Sequence, residues 1–420
     1  MRRLRRLWKL LGPGFVTGAA DDDPSGIATY SQTGASFGYA QLWLVPFSYP
    51  FMVAVQEMCG RIGLVTGKGI AGVMRRHHSR GALAIVILLL LTANIINIGA
   101  DLGAMASALE LLVPINFFAL LSGVTAFSIL MQVLVPYPAY VRFLKYLALA
   151  LLAYVVTALM VTDSWRTVAL ALVTPHAEFS RTYILNIAAF LGTTISPYLF
   201  FWQADGEVEE EVATGKLRQM GRGVPKIMPK DIRRMRFDTA VGMFFSNTIT
   251  FFIILTVAGT LAQSGITNVA TAADAASALR PIAGDFAFVL FALGIVGTGL
   301  LAVPILAGSA AYAVSEAFGW REGLGRRFGQ APGFYAVILL ATVFGLLVNA
   351  TSIGSMTMLY YAAILNGVLA PPLLFIILLI ANNKRIMGSR TNGVLSNVLG
   401  IVITALMGVV ACITILTFFL

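Results

Sequence analysis

The chain has 420 residues, of which 58% are hydrophobic and only 11% are charged, and its mean hydropathy is +0.84. A soluble chain has about 25% charged residues, so this composition excludes a set of soluble domains and indicates an integral membrane protein. The net charge of +10 would favour a nucleic-acid partner in a soluble protein. In a membrane protein it reports which side of the bilayer the loops occupy, and we expect no nucleic-acid partner.

The basic N-terminal segment, 1–11, predicts a cytoplasmic arm rather than a cleavable signal peptide. A signal peptide needs an uninterrupted apolar region of about 7–15 residues after its basic start. Here the apolar residues after Lys9 meet Gly12 and Pro13 at once, and three aspartates follow at 21–23. We therefore expect the first membrane span to begin directly after the arm.

Eleven segments are long and apolar enough to predict membrane-spanning helices, each of which needs about 20 mostly apolar residues. Their connections are short, which leaves little room for a soluble domain, so we expect one transmembrane domain over 1–420. The predicted spans are 12–37, 40–62, 82–112, 115–135, 139–161, 182–211, 237–262, 284–317, 334–350, 355–381 and 394–418.

The distribution of basic residues predicts the orientation of these spans. With the N-terminus in the cytoplasm and the spans alternating, 26 of the 29 Lys and Arg residues fall on the inner side. The other three are Arg166, Arg181 and Arg280. Because cytoplasmic loops carry an excess of Lys and Arg, this split supports the span count and the direction. We expect a multi-pass protein of the plasma (cell inner) membrane with its C-terminus outside.

Two of the spans are interrupted by polar residues and proline. The first contains Asp-Asp-Asp-Pro-Ser-Gly at 21–26, and the sixth contains Gly-Thr-Thr-Ile-Ser-Pro-Tyr at 192–198. An acid deep in a span costs about 2.5–3.5 kcal/mol on insertion scales, and proline removes a backbone donor. Both stretches are therefore expected to unwind and to free carbonyl groups, which in a bilayer need protein, water or a cation as partner.

The spacing of the two interruptions predicts an inverted repeat. The sixth span comes five spans after the first, an odd offset, so the halves 12–161 and 182–381 have opposite topology, with 394–418 as an extra helix. A single proline kink often has no function. Paired interruptions in corresponding halves point to a transporter site near the bilayer midplane.

Several motifs resemble the Nramp divalent-metal transporters, most closely over 12–72 and colinearly over the rest. The resemblance implies an all-α, LeuT-type fold with eleven helices, in which a metal ion lies between the unwound parts of helices one and six. The motifs that carry it are Gly-Pro-Gly-Phe at 12–15, Asp-Pro-Ser-Gly at 23–26, Phe-Gly-Tyr at 37–39 with Leu-Trp at 42–43, and Gly-Leu-Val-Thr-Gly-Lys at 63–68.

Two departures from the family motifs bear on the choice of metal. The family's Asp-Pro-Gly-Asn retains its aspartate here as Asp23, but Gly26 stands in place of the asparagine. The family's Met-Pro-His is here Ser196-Pro197-Tyr198. Methionine sulfur is a soft ligand, whereas magnesium takes oxygen ligands and keeps several waters. In this the chain is similar to the Nramp-related magnesium transporters, and manganese would fit as well.

The resemblance and the interruptions together give a candidate site for the transported ion. Asp23 would supply charge, and Gly26 would leave room for water. Neutral oxygens would come from Ala20, Thr193, Thr194 and Ser196. A second tier of candidate residues comprises Asp22, Tyr198, Asn366, Gln203 and Asp101. For Asp22, an outer vestibule and a partly wetted helix end remain open, and the register of Asn366 is open too.

Proton coupling is not expected from these residues. Tyr198 and Gln203 stand near the places where the coupled members have histidines, and Asp101 is out of register with their third-span acids, which map to Asn97 and Ala100. We therefore expect passive or weakly coupled import of Mg²⁺ or Mn²⁺ as a substrate, with no cofactor.

Two other transporter functions stay open. One is proton-coupled transport of Mn²⁺ or Fe²⁺, and the other is amino-acid transport on the same fold, which Asp23 opposes by repelling a substrate carboxylate. An enzyme is not expected, because no nucleophile–base pair, zinc spacing or phosphate loop is present. The oligomeric state cannot be read from the sequence, and a monomer is compatible with it.

Overall fold

The structure is a computed structural model that describes residues 12–135, 148–178 and 180–419. The predicted arm at 1–11, the first part of the fifth predicted span, and Arg142 and Lys145 lie outside the described residues. Within the described residues the chain is helical, and the one β-bridge there joins Gln219 and Arg222.

The first half of the described chain contains nine helices, one of them a short 3-10 turn at Ala148–Leu151. The α-helices are α1 (Pro13–Asp21), α2 (Pro24–Phe37), α3 (Leu44–Thr66), α4 (Ile70–His77), α5 (Arg80–Glu110), α6 (Phe117–Leu134), α7 (Leu152–Val161) and α8 (Trp165–Val173).

The second half begins at α9 and is also helical within the described residues. Its α-helices are α9 (Arg181–Thr194), α10 (Pro197–Ala213), α11 (Pro229–Val257), α12 (Ala272–Ser277), α13 (Arg280–Ala283), α14 (Ala287–Phe318), α15 (Pro332–Val348), α16 (Ser355–Asn382), α17 (Lys384–Met387) and α18 (Val394–Phe419). A π-helix at Ala258–Ala262 extends α11.

Both predicted interruptions are present, and proline sets where each helix resumes. The backbone leaves the helix at Asp22 and Asp23, and Pro24 is the first residue of α2. It leaves again at Ile195 and Ser196, and Pro197 is the first residue of α10. Proline is tolerated at this first position because its missing N–H would have no helical partner there.

The predicted count of eleven spans is not confirmed. Among the described residues, seven helices are long and apolar enough to cross a membrane, or eight if α7 and α8, which meet at 115°, form one span. The interrupted first span is divided into helices of 9 and 14 residues, and α15 has 17 residues. α3 is longer but carries Gln56, Glu57 and Arg61 within its apolar stretch.

Glycines allow the interrupted helices to pack closely on their neighbours. A Cβ on Gly18 of α1 would lie 2.2 Å from the carbonyl carbon of Gly242 on α11. A Cβ on Gly192 of α9 would lie 2.0 Å from the carbonyl oxygen of Ala363 and 2.3 Å from the nitrogen of Gly367, both on α16. Small residues at such crossings are the usual means of close helix packing in membranes. These contacts fix the two interruptions at the centre of the bundle.

Candidate metal site

Asp23 is the N-cap of α2, and its carboxylate is held by three donors. Its Oδ1 accepts hydrogen bonds from the Gly26 amide (2.8 Å) and the Ser25 hydroxyl (2.6 Å). Its Oδ2 accepts one from the Tyr198 hydroxyl across the gap to α10 (3.3 Å). The side chain is buried. A carboxylate at the start of a helix is stabilised by the helix dipole and by free amide groups, so it can remain charged while it binds a cation.

Ser196 is the N-cap of α10, but its hydroxyl points back into the interruption. It donates to the carbonyl oxygens of Gly192 (2.9 Å) and Thr193 (2.6 Å) and makes no cap bond with α10. A hydroxyl that donates its proton in this way keeps its lone pairs for a ligand. Ser196 can therefore present a neutral oxygen to a cation.

The two interruptions contact each other directly. The Ser25 and Thr193 hydroxyls lie 3.3 Å apart, and the Tyr198 hydroxyl donates to the Ala20 carbonyl (3.0 Å) as well as to Asp23. These bonds join the end of α1 and the start of α2 to the α9–α10 interruption. The result is a buried group of oxygen atoms with a single carboxylate.

Gly26, where the sequence predicts room for water, lies against this group. A Cβ at that position would be 3.2 Å from the Tyr30 ring, 3.3 Å from the Asp21 carbonyl oxygen and 3.4 Å from the Thr193 hydroxyl. The space beside Gly26 is therefore bounded by an aromatic ring and two oxygen atoms. A larger residue there would press on all three.

The structure brings together most of the candidate site residues but separates two of them. Ala20, Asp23, Gly26, Thr193, Ser196 and Tyr198 surround the contact between the two interruptions. The Thr194 hydroxyl instead bonds to the Phe190 carbonyl (2.8 Å) in its own helix. Gln203 is about two turns further along α10, where it accepts from Thr17 (2.6 Å) and donates to Glu207 (3.1 Å).

Asp101 approaches the site from α5, and Asn366 on α16 directly precedes Gly367, which packs against Gly192. Both side chains are buried, and none of their polar atoms has a hydrogen-bond partner among the described residues. Asp101, on α5, is close enough to Asp23 and Tyr198 to interact with them electrostatically. Asn97, one turn before Asp101, is buried and unpaired in the same way. Buried polar groups without partners are rare and call for a ligand or water.

Asp21 and Asp22 face a different helix from Asp23. Both accept from the Ser246 hydroxyl on α11, through Oδ2 of Asp21 (2.6 Å) and Oδ1 of Asp22 (3.3 Å). Asp22 is 1% exposed, so it lies neither in a vestibule nor at a wetted helix end, the two alternatives that the sequence left open. Sequence reasoning missed Ser246, because a serine in a long apolar span carries no signal of its own.

Another set of carboxylates lies at the end of the bundle where α10 and α14 finish. Glu316 accepts from the Gly69 amide (2.6 Å) and the Gly72 amide (2.7 Å) at the start of α4. A Cβ on Gly69 would lie within 2.6 Å of carboxylate oxygens of both Asp205 and Glu316. Burial raises the pKa of Glu322, in the loop after α14, to about 9, and the carboxylate of Glu316 adds to this rise.

The described residues contain no group of three or more His, Cys, Asp or Glu side chains that could hold a metal ion. The contact between the interruptions instead combines the carboxylate of Asp23 with hydroxyl and carbonyl oxygens. Ligands of this kind suit hard cations, which take oxygen donors and keep part of their hydration shell.

A family model described as "Natural resistance-associated macrophage protein-like" matches residues 14–417, nearly the whole chain. The chain belongs to the Nramp family. It is 26% identical over 407 residues to the "Divalent metal cation transporter MntH" of Yersinia pestis (strain Pestoides F), covering 95% of this chain and 93% of the relative. With its apolar helices, this membership makes it an integral membrane transporter, and in such a family a metal is substrate rather than cofactor.

Solved structures of two transporters share the fold. The manganese transporter of Eremococcus coleocola, in complex with an aromatic bis-isothiourea substituted compound, has a TM-score of 0.76 at 16% identity and covers 97% of this chain and 87% of its own. Mhp1, a nucleobase-cation-symport-1 family transporter in a closed conformation, has a TM-score of 0.58 at 14% identity. The match covers 97% of this chain and 91% of the Mhp1 chain. The arrangement of helices is therefore LeuT-like.

Proposed function

We propose that this transporter imports a hard divalent cation, with Mg²⁺ preferred and Mn²⁺ also carried, by alternating access. The observation that supports this most directly is the contact between the interruptions, where the Asp23 carboxylate lies among hydroxyl and carbonyl oxygens. Ser196 occupies the place of the family's methionine, so a soft sulfur ligand is replaced by a hydroxyl. Hard oxygen ligands favour magnesium and manganese over softer transition metals.

The orientation of the chain and its location in the plasma membrane are part of the same proposal. The excess of Lys and Arg in alternate loops supports a cytoplasmic N-terminus, a C-terminus outside and insertion of eleven spans into the plasma membrane. The interrupted first and sixth spans, one from each of the inverted halves 12–161 and 182–381, would rock together against the rest of the bundle, with 394–418 outside the repeat.

Transport would be uncoupled or weakly coupled to protons, because Tyr198 and Gln203 stand near the places of the coupled members' histidines. A second candidate is a proton-coupled Mn²⁺ or Fe²⁺ transporter of the usual Nramp type. Asp101 favours it, since this carboxyl is buried beside Asp23 without a hydrogen-bond partner among the described residues. The relatives named as divalent metal and manganese transporters also agree with it.

Uptake by the purified protein in liposomes tests the proposal. We expect uptake of Mg²⁺ and Mn²⁺ in wild type and a fall of at least about tenfold in Asp23→Ala, since even changes outside the ligand shell cost 10–100-fold in metal affinity. Asp163→Ala, which removes an exposed aspartate from the loop after α7, is the matched control and should transport normally. A pH-sensitive dye inside the liposomes reports proton entry in the same experiment.

Each result has one interpretation. Wild-type Mg²⁺ uptake in Asp23→Ala would show that the ion does not bind between the interruptions. Lumenal acidification that rises in proportion to metal influx would select the proton-coupled candidate. Transport of an amino acid without metal would select neither.

A further inference from the structure

Asp21 and Asp22 form a second buried acidic pair, which contacts Ser246 on α11. The Ser246 hydroxyl binds one oxygen of each carboxylate, and the other oxygens, Asp21 Oδ1 and Asp22 Oδ2, are buried without a hydrogen-bond partner among the described residues. The four ion pairs found in the described part of the chain involve other carboxylates. Two carboxylates therefore lie in the centre of a membrane protein with no basic side chain bound to them.

The hydroxyls of Tyr30 and Thr250 lie close to each other and near the same pair. Thr250 follows Ser246 by four residues and so lies on the same face of α11. Tyr30, on α2, lies next to Thr250 and interacts electrostatically with both Asp21 and Asp22. Both side chains are fully buried, and neither hydroxyl makes a hydrogen bond of normal geometry with the described residues. Buried hydroxyls on α2 and α11 thus lie close to the acidic pair.

The chemistry of this pocket calls for positive charge. Two carboxylates that are removed from water without a counter-ion are strongly destabilising, and their mutual repulsion adds to the cost. The pair also lies at the C-terminus of α1, where unsatisfied carbonyls and the helix dipole attract cations. Because every group present is an oxygen ligand, the ion is a hard one, and two carboxylates balance the charge of a divalent ion.

We propose that Asp21 and Asp22, with the hydroxyls of Ser246, Tyr30 and Thr250, form a second site for a hard divalent cation. The inference rests on the proposed function, since the ion is of the class that the Asp23 site is proposed to carry. The two sites contact different helices, the acidic pair α11 through Ser246 and Asp23 α10 through Tyr198. The unwound segment would then hold two ions rather than one.

Counting bound Mn²⁺ in the purified full-length protein tests this, with electron paramagnetic resonance to measure the free ion. In buffer without Na⁺ we expect two Mn²⁺ per chain in wild type and one in Asp21→Asn/Asp22→Asn. Asp23→Asn should also bind one, at the second site. Ser246→Ala should lower the affinity of the second site for Mn²⁺ by on the order of tenfold. The matched control is Thr248→Ala, on the same helix, whose hydroxyl bonds to Phe244 and not to the pair.

The outcomes separate this inference from the proposed function. One Mn²⁺ in wild type, or two in the double variant, overturns the second site. If the second site is overturned in this way, and the double variant transports normally while Asp23→Asn does not, the proposed function is still supported. Absence of both binding and transport in wild type overturns the proposed function itself. Loss of the second Mn²⁺ in physiological Na⁺ would assign the pocket to a monovalent ion and overturn the divalent assignment. Should the double variant fail to fold, the Ser246→Ala titration decides.

Discussion

The contact between Gly18 of α1 and Gly242 of α11 positions the interruption, and Gly18→Ala tests this. The added Cβ would lie 2.2 Å from the Gly242 carbonyl group, whereas ordinary van der Waals contact begins at 3.4 Å. The two backbones would therefore have to separate by about 1.2 Å. Gly18 is one helical turn before Asp21, so the displacement would reach the aspartates nearly undiminished.

The expected size of the effect follows from this displacement. Overpacking of a buried contact costs about 1–3 kcal/mol, of which the better helix propensity of alanine returns up to about 1 kcal/mol. A shift of this size would stretch the 2.6 Å bond from Ser246 to Asp21 to about 3.8 Å, which is no longer a hydrogen bond. Metal ligands need to be held within about 0.5 Å, so uptake should fall at least about tenfold.

Uptake of Mn²⁺ into liposomes and thermal unfolding of the purified protein together measure the two effects. Gly123→Ala, on α6, is the matched control, because its Cβ would meet no atom within 4 Å. We expect the control to keep wild-type uptake and to gain up to about 1 kcal/mol of stability, because alanine favours a helix over glycine. Wild-type uptake and an unchanged melting temperature in Gly18→Ala would refute the argument that this crossing holds the site in place.

Two further substitutions test the anchoring of α1 and the choice of metal. Asp238→Ala removes the carboxylate that accepts hydrogen bonds from the Gly12 (2.9 Å) and Gly14 (2.8 Å) amides. The free energy of unfolding should fall by about 0.5–2 kcal/mol. Thermal melting measures this, with Asp238→Asn as the comparison. Ser196→Met replaces a hard oxygen with a soft thioether, so the ratio of Mn²⁺ to Mg²⁺ uptake should rise several-fold in a competition assay; a constant ratio would mean that Ser196 does not contact the ion.

The positions of the interruptions could be predicted from the sequence, but the directions of the side chains could not. Proline and adjacent polar residues mark where a helix must stop, and α2 and α10 both begin at such a proline. The direction of Asp23 depends on the backbone of Asp22, whose φ of −84° and ψ of 49° are not helical. This turn sends Asp23 to α10 while Asp21 and Asp22 bind α11. A regular 100° step per residue does not give that division.

The number of spans is harder to predict, for a related reason. A hydropathy search finds long apolar helices even when they are mostly buried, as α14 is. It misses α1 and α2, which are short because the first span is interrupted, and α3, which carries polar residues in its apolar stretch. They can carry aspartates, prolines and an Arg61–Glu57 pair, because other helices rather than lipid surround them. The polar residues that matter most for the site thus lower the hydropathy by which a span is recognised.

The contacts of α1 also constrain how the transporter can open. α1 meets α11 at three levels: Gly12 and Gly14 at Asp238, Gly18 at Gly242, and the acidic pair at Ser246. The partners on α11 recur every four residues, and eight residues of helix span about 12 Å, close to the length of α1 itself. The two helices therefore run in the same direction with matched rises over the whole of α1. An opening motion that moved α1 without α11 would break two anchoring carboxylate contacts and a backbone crossing together, so we expect α11 to follow α1 when the interrupted spans rock.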